Sequence, residues 1–221
     1  MTNEDDDAKE FDLFGGSIKI SLPKNLVDAS QMRQVPDEQE VFVSPDSSNL
    51  SVIVEVLEAV DPDNDSEFLQ LNQTQSSGLK DSHPTSVIKY HFYSLAHDNS
   101  ATTSSINSIE FPADLSYFTK DLGTIKHTPE PILLHGLQLV SKFNRPDSEA
   151  DQVYIWMALW RLRGIGSGDL GTDLVLTFNL PDLSNAHLTQ DQSFQHSLQR
   201  VSKLFHMAAK SLSIVDWLLF A

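Results

Sequence analysis

The chain contains no cysteine, which excludes a disulfide scaffold, a thiolate metal site and a cysteine nucleophile. Its eight histidines lack the spacing of three or four residues that a metal site on a helix requires. We therefore expect neither a metal ion nor a cofactor. The sequence also lacks a run of about 18 apolar residues, and its first residues are neither basic nor apolar. We expect no membrane-spanning segment and no secretory signal.

Basic residues are scarce, since 15 Lys and Arg face 31 Asp and Glu for a net charge of −16 and a pI of about 4.6. Binding to nucleic acid or to an anionic membrane requires a basic surface, so neither partner is expected. Residues 1–12 hold six acids and one Lys, and we predict that they form a disordered acidic tail. Residues 37–67 hold ten acids and no base. This region contains strand-like sequence, so its acids should lie on a folded surface, either for solubility or as a face for a basic partner.

The remaining pattern predicts β-strands in the first quarter of the chain. Ile18 to Leu22 alternate between apolar and polar residues, which is typical of a half-buried strand. A second strand begins at Val41, and residues 50–57 are largely apolar on both faces, which favours a central strand covered on both sides. Between the strand at Ile18 to Leu22 and the strand that begins at Val41, Asp28 or Ser30 could cap a short helical turn.

The second half of the chain predicts a meander and a final helix. Residues 131–143, 152–163 and 173–180 are apolar runs joined by short connections, as in an antiparallel meander. Apolar residues then recur at helical spacing over about five turns, at Phe194, Leu198, Val201, Leu204, Phe205, Ala208 and Leu212. We predict one α/β domain over residues 13–221, with a mainly antiparallel sheet covered by helices.

Residues 72–131 are interpreted as a variable polar insert within this domain. A helix is expected at about residues 65–72, and residues 72–84 and 96–108 are rich in Ser, Thr, Asn and Gln, which favours loops. Between these loops, Val87 to Tyr93 fits either a strand or a short helix, and the pattern does not decide between them.

Gly166, Gly168 and Gly171 match the spacing of a dinucleotide-binding fingerprint. A genuine fingerprint opens a helix, whose free N–H groups meet the pyrophosphate. Here the strand predicted at Leu174 to Phe178 follows instead, so we interpret the glycines as a β-hairpin loop.

Glu55 and Glu58 are the acids of greatest interest, because they lie in and at the end of the predicted central strand. In a regular strand they point to opposite faces, and only an end or a bulge near Leu57 would bring both to one rim. The pair fits a solvated charge cluster or a docking site for a basic partner. A glycosidase carboxylate pair would require an aromatic sugar platform, which does not accompany it.

Several blocks of this sequence resemble the Ran guanine nucleotide release factor (Mog) family. The similarity is carried by residues 13–18, by the ungapped block from Val27 to Val43, and by Ser51 to Glu58. Further matches lie in residues 158–162 and 172–181, and the C-terminal residues look most like those of the fungal members.

This resemblance implies a fold and a function. Family members are α/β/α sandwiches around an antiparallel sheet, related in fold to the photosystem II subunit PsbP. They bind the small GTPase Ran, promote release of its nucleotide and support nuclear protein import. Carried over residue by residue, the resemblance implies these partner-binding residues: Glu55, Glu58, Asp37, Glu40, Asp28 and Arg33.

The resemblance also implies a regulatory binder that is not an enzyme. We expect a monomer that acts in the nucleus and the cytoplasm with Ran as its protein partner. The alternative is a small-molecule-binding or scaffold α/β domain without exchange activity, because one fold supports many functions.

Overall fold

The computed structural model describes residues 8–61, 83–119, 127–140, 150–164, 171–182 and 192–220. Within these ranges the chain forms two antiparallel sheets and three α-helices. The strands are β1 (Ala8–Leu13), β2 (Ile18–Pro23), β3 (Val27–Asp28), β4 (Gln39–Val43), β5 (Ser51–Glu58), β6 (Ala101–Glu110), β7 (Ile132–Val140), β8 (Asp151–Leu162), β9 (Thr172–Asp182) and β10 (Ser213–Ile214). The helices are α1 (His83–Asp98), α2 (Ser116–Thr119) and α3 (Gln192–Ser211).

The larger sheet has seven strands in the order β3-β4-β5-β9-β8-β7-β6, and every neighbouring pair is antiparallel. Strands β7, β8 and β9 are consecutive neighbours, which confirms the predicted meander. Strand β5 lies between β4 and β9, so its predicted position inside the sheet is also confirmed. The smaller sheet has the order β1-β2-β10.

The large sheet is covered on both faces, as expected for strands that are apolar on both sides. On one face α1 packs so closely that a Cβ added at Gly136 would lie 2.6 Å from the Phe92 ring. On the other face Phe205 of α3 meets Phe178 at a ring separation of 5.6 Å, and Phe11 of the small sheet meets Phe42 at 5.1 Å. These layers confirm the predicted α/β/α sandwich, with the small sheet sharing the α3 layer.

The core follows the predicted apolar runs. Most of β8 and β9 is buried, because these two strands lie in the interior of the seven-stranded sheet. Helix α3 buries Val201, Leu204, Phe205 and Ala208, which confirms the predicted helix and its apolar face. None of the helices in the described ranges is long and apolar enough to cross a membrane.

The acidic tail was predicted to extend through residue 12, and this boundary is wrong because strand β1 begins at Ala8. Six residues of β1 pair with β2. Asp12 lies opposite Lys19, whose ammonium group also contacts Glu10, while Leu13 is fully buried. The charged side chains of Glu10 and Asp12 therefore lie on the outer face of strand β1. Residues 1–7 lie outside the described ranges.

The loop predicted at residues 96–108 is also wrong, since these residues include the end of α1 and most of β6. Strand β6 pairs with β7 and is the edge strand at that end of the described sheet. Several of its exposed positions are Ser or Thr. An edge strand with a polar surface has the composition of a loop. Val87 to Tyr93 form part of helix α1, while the helix predicted at about residues 65–72 lies outside the described ranges.

Candidate functional site

Glu55 and Glu58 lie on opposite faces of the large sheet. Pairing of β5 with β9 runs without a shift from Ser51 opposite Asn179 to Glu58 opposite Thr172. Because side chains alternate along a regular strand, the two carboxylates diverge, and the bulge that would bring them to one face does not occur. Glu55 is half-buried on the α1 face, whereas Glu58 is exposed at the end of the strand.

The Glu55 carboxylate is held by the neighbouring strand. Gln39 lies directly opposite Glu55, and its Nε2 donates a hydrogen bond of 2.8 Å to Oε1. Burial is the main reason that the pKa of Glu55 is raised above its ordinary value, and the nearby Asp98 and Glu38 act in the same direction. His91 and the hydrogen bond from Gln39 act against this shift.

The turn that precedes β4 brings further acids to this end of the sheet. Gln39 N–H donates to the carbonyl of Pro36 at 3.0 Å, which closes the turn, and Val56 N–H donates to the carbonyl of Glu38 at 3.0 Å. Asp37 and Glu38 are exposed on this turn. We call Asp37, Glu38, Glu55 and Glu58 the acidic rim.

Three other predicted site residues do not join the acidic rim. Glu40 points to the opposite sheet face from its neighbour Gln39, and its Oε1 accepts the backbone N–H of Phe14 at 2.6 Å. This bond supports a turn in which Phe14 has φ +49°. Asp28 pairs with Phe42 near the far end of β4, where its carboxylate caps the turn Ala29–Gln31 by accepting from Ser30 N–H at 2.8 Å.

Arg33, the last of the predicted site residues, follows the turn that Asp28 caps. Its backbone N–H donates to the carbonyl of Ala29 at 3.0 Å, and the residue is exposed. Arg33 therefore belongs with Asp28, at the end of β4 remote from Gln39. Of the predicted set, Asp37, Glu55 and Glu58 lie at one end of the sheet, together with Glu38 and Gln39.

A buried polar cluster lies behind the acidic rim. Arg161 and Asp173 face each other across β8 and β9, both fully buried. Arg161 Nε donates to Asp173 Oδ1 at 2.8 Å, and its Nη2 donates to Oδ2 at 2.8 Å. His91 of α1 completes the cluster, since its Nε2 lies 2.9 Å from the same Oδ2 and must donate to it. We call Arg161, Asp173 and His91 the buried cluster.

The buried cluster also holds the chain that leaves β5. Arg161 Nη2 donates to the carbonyl of Val60 at 2.5 Å, and Val60 N–H donates to Asp173 Oδ2 at 3.3 Å. Burial alone would raise the pKa of Asp173, but hydrogen bonds and charge from His91 and Arg161 outweigh it and hold the pKa below its ordinary range. Asp173 is therefore ionised at neutral pH.

This cluster was not predicted from the sequence, although a signal was present. Arg161 and Asp173 each adjoin a long uncharged run, residues 152–160 and 174–181, at matching distances from the hairpin loop. Strand pairing therefore sets them opposite each other. The interior of the loop lies outside the described ranges. Gly171 at its end has φ +90°, and strand β9 follows it, as the hairpin interpretation of the glycines requires.

A separate groove lies on the α3 face of the sheet, away from Glu55. His135 and Trp156 stack at 5.0 Å with Tyr154 beside them, and Leu198 and Lys203 of α3 contribute to the wall. Its volume is about 400 Å³. In the part of the chain that the structure describes, no three His, Cys, Asp or Glu side chains are arranged to hold a metal ion.

Comparison with known proteins identifies the family. A family model described as Ran-interacting Mog1 protein matches residues 11–181. The chain belongs to the Ran-interacting Mog1 family. The match includes every residue of the acidic rim and of the buried cluster, and the resemblance found in the sequence is confirmed.

Relatives of the Mog1 family are similar over most of this chain. The nuclear import protein mog1 of Schizosaccharomyces pombe is 30% identical over 216 residues, which cover 95% of this chain and 98% of that protein. The probable Ran guanine nucleotide release factor of Dictyostelium discoideum is 28% identical and covers 94% of each chain. The 1.9 Å crystal structure of the Ran-binding protein Mog1p of Saccharomyces cerevisiae superposes with a TM-score of 0.62 at 25% identity, covering 97% of this chain and 98% of that one.

Proposed function

We propose that this protein binds the small GTPase Ran, promotes release of its guanine nucleotide and supports nuclear protein import. The observation that carries the proposal is the match of a Ran-interacting family model to residues 11–181. The names of the relatives, a nuclear import protein and a Ran guanine nucleotide release factor, support the same function. The protein acts as a regulatory monomer in the nucleus and the cytoplasm and catalyses no covalent chemistry.

The acidic rim is the proposed contact surface. Glu58 and Asp37 are exposed, so their carboxylates are free to meet basic side chains of the GTPase that otherwise hold phosphate or ribose. Glu55 is half-buried and oriented by Gln39, so it adds a contact of fixed geometry. Charge complementarity between an acidic rim and a basic partner also speeds the encounter.

Nucleotide release follows from reciprocal linkage. A protein that binds nucleotide-free Ran more tightly than nucleotide-bound Ran weakens nucleotide binding by the same factor. The remaining predicted residues have other roles: Glu40 fixes the turn at Phe14, and Asp28 caps the turn that leads to Arg33.

The test is release of a fluorescent guanine nucleotide from purified Ran, loaded in separate samples with GDP and GTP analogues. The protein should accelerate release, and the rate should rise with its concentration and then saturate. A release rate that stays at the spontaneous value at every concentration would contradict the proposal. Binding of Ran measured in the same samples separates slow exchange from absence of contact.

The alternative function, binding of a small molecule without exchange activity, is favoured by the groove at His135, Tyr154 and Trp156. Its volume of about 400 Å³ lies within the range of about 300–1,000 Å³ that is typical of ligand sites. Trp156→Ala would abolish such a function, whereas Ran binding at the acidic rim should survive this change. A small molecule that binds the wild type but not Trp156→Ala, together with no acceleration of nucleotide release by the wild type, would favour this alternative.

A further inference from the structure

The buried cluster contacts the main chain immediately beyond the acidic rim. Both backbone polar groups of Val60 are engaged, since its N–H donates to Asp173 and its carbonyl accepts from Arg161. The preceding residue is fixed as well, because Ala59 N–H donates to the carbonyl of Gly171 at 3.1 Å. Glu58, the most exposed position of β5, is therefore followed by two residues that are bound to the sheet interior.

Stability alone does not require such a cluster. A buried ion pair can often be replaced by apolar residues of similar volume without loss of stability. In this cluster Asp173 Oδ2 accepts from Arg161, from His91 and from Val60 N–H. The arrangement thus joins β8, β9 and α1 to the backbone of a single residue, Val60, just beyond the end of β5.

We infer that the buried cluster is a positioning device for the acidic rim: it fixes Ala59 and Val60, and thereby the direction in which Glu58 is presented to Ran. His91 is the positioning residue that ties this geometry to helix α1. The inference rests on the proposed function, because it gives the cluster a role in Ran binding. His91 itself touches no partner, since it is buried.

The test compares His91→Leu with His91→Gln in the full-length protein. Leu removes the donor to Asp173, whereas the amide of Gln can place a donor where Nε2 of His91 lies. The matched control is Gln138→Leu, because Gln138 is also fully buried and also anchors α1, donating to the carbonyl of Phe92 at 3.2 Å. Gln138 lies on β7, three strands away from β5.

Three quantities are measured for each variant: the melting temperature, amide hydrogen exchange at Ala59 and Val60 without Ran, and affinity for Ran. In His91→Leu we expect faster exchange at both amides and affinity weakened by about tenfold, a size typical of residues that act through a neighbour. His91→Gln should restore both properties. Gln138→Leu should lower the melting temperature to a similar extent and leave Ran affinity unchanged.

The inference is overturned if His91→Leu binds Ran like the wild type, or if Gln138→Leu weakens binding equally at equal loss of melting temperature. Should His91→Leu fail to fold, His91→Asn keeps a polar side chain that is too short to reach Asp173 and is judged by the same outcomes. Wild-type protein that does not bind Ran overturns the proposed function, and the inference with it. Wild-type binding combined with an unaffected His91→Leu variant overturns the inference alone.

Discussion

Nε2 of Gln39 donates a hydrogen bond of 2.8 Å to Oε1 of Glu55, the residue directly opposite it across the β4–β5 ladder. This bond joins the acidic turn before β4 to the strand that carries Glu55 and Glu58. It also partly satisfies a carboxylate that has lost much of its contact with water. Partial burial of the Glu55 charge therefore lowers the stability of the folded protein, while the charge stays available at the edge of the site.

Glu55→Gln should stabilise the protein at neutral pH and weaken Ran binding. The pKa of Glu55 is raised in the folded state, chiefly by burial. Its favourable contribution is therefore complete below the unfolded pKa, for which the ordinary value is 4.5, and is lost as the pH rises through the higher folded value. Melting temperatures of both proteins between pH 3.5 and pH 8 should diverge as the pH rises.

The matched control for this change is Glu58→Gln, at an exposed position three residues along the same strand. Its melting temperature should differ less from that of the wild type across the same range. A Glu55→Gln variant that is less stable than the wild type at neutral pH would show that the negative charge strengthens the bond from Gln39 by more than its burial costs.

Glu58→Lys should reduce Ran binding and nucleotide release together by about tenfold or more, because lost attraction is joined by like-charge repulsion. The exposed position makes loss of stability small, within about 0.5 kcal/mol. Glu110→Lys is the control, since Glu110 is also an exposed residue at a strand end but lies on β6, four strands away in the sheet. Equal effects of the two reversals would indicate that net charge, rather than the acidic rim, governs binding.

The large sheet was predictable because its interior strands are apolar, and burial on both faces leaves an unambiguous pattern in residues 50–57 and 173–180. The edge strand β6 and the strand β1 were not predicted, since their exposed faces carry polar and charged residues that resemble loop and tail sequence. Tertiary pairing, rather than local pattern, makes them strands.

The candidate site was predictable only in part. The resemblance marks Glu55, Glu58 and Asp37 as site residues, and the structure gathers them at one end of the sheet. The resemblance does not distinguish these residues from Glu40, whose carboxylate is engaged by the backbone N–H of Phe14. The buried cluster depends on the pairing register between β8 and β9 and on a helix whose identity the pattern left open.

Asp173→Asn should destabilise the protein by about 3–5 kcal/mol at neutral pH, because it leaves the Arg161 guanidinium buried without a counter-charge. The pKa of Asp173 is held low in the folded state, so its contribution is present above the ordinary value of 3.8 and is lost as the pH falls through the folded value. Denaturant unfolding at pH 7 and acid titration down to pH 2 measure both effects. The variant should show a weaker dependence of stability on pH in the acid range.

A double replacement separates charge from packing at this site. Arg161→Met combined with Asp173→Leu removes both buried charges and retains most of the volume, so it should cost less stability than Asp173→Asn alone. If the double variant is the less stable of the two, the bonds to Val60 and His91 contribute more to folding than the uncompensated charge costs.

Deletion of residues 1–13 should destabilise the protein, whereas deletion of residues 1–7 leaves all of β1 in place. Strand β1 pairs six residues with β2, and Phe11 packs edge-on against Phe42. The deletion also removes Leu13, which is fully buried. Loss of a buried leucine side chain costs about 2–5 kcal/mol, which corresponds to a fall in melting temperature of roughly 4–20 °C for a chain of this size. Thermal unfolding of the two truncated proteins and of Phe11→Ala measures the effect.

Salt dependence shows which interaction in β1 matters. The Lys19–Glu10 pair is exposed, at 42% and 61% of the two side chains, so its contribution to stability should be small and screened by salt. Glu10→Gln should therefore change the melting temperature little, and the loss caused by deleting residues 1–13 should be nearly the same at low and high salt, since buried apolar contacts are not screened. A loss that disappears at high salt would mean that β1 is held by its charges and that Phe11 contributes little.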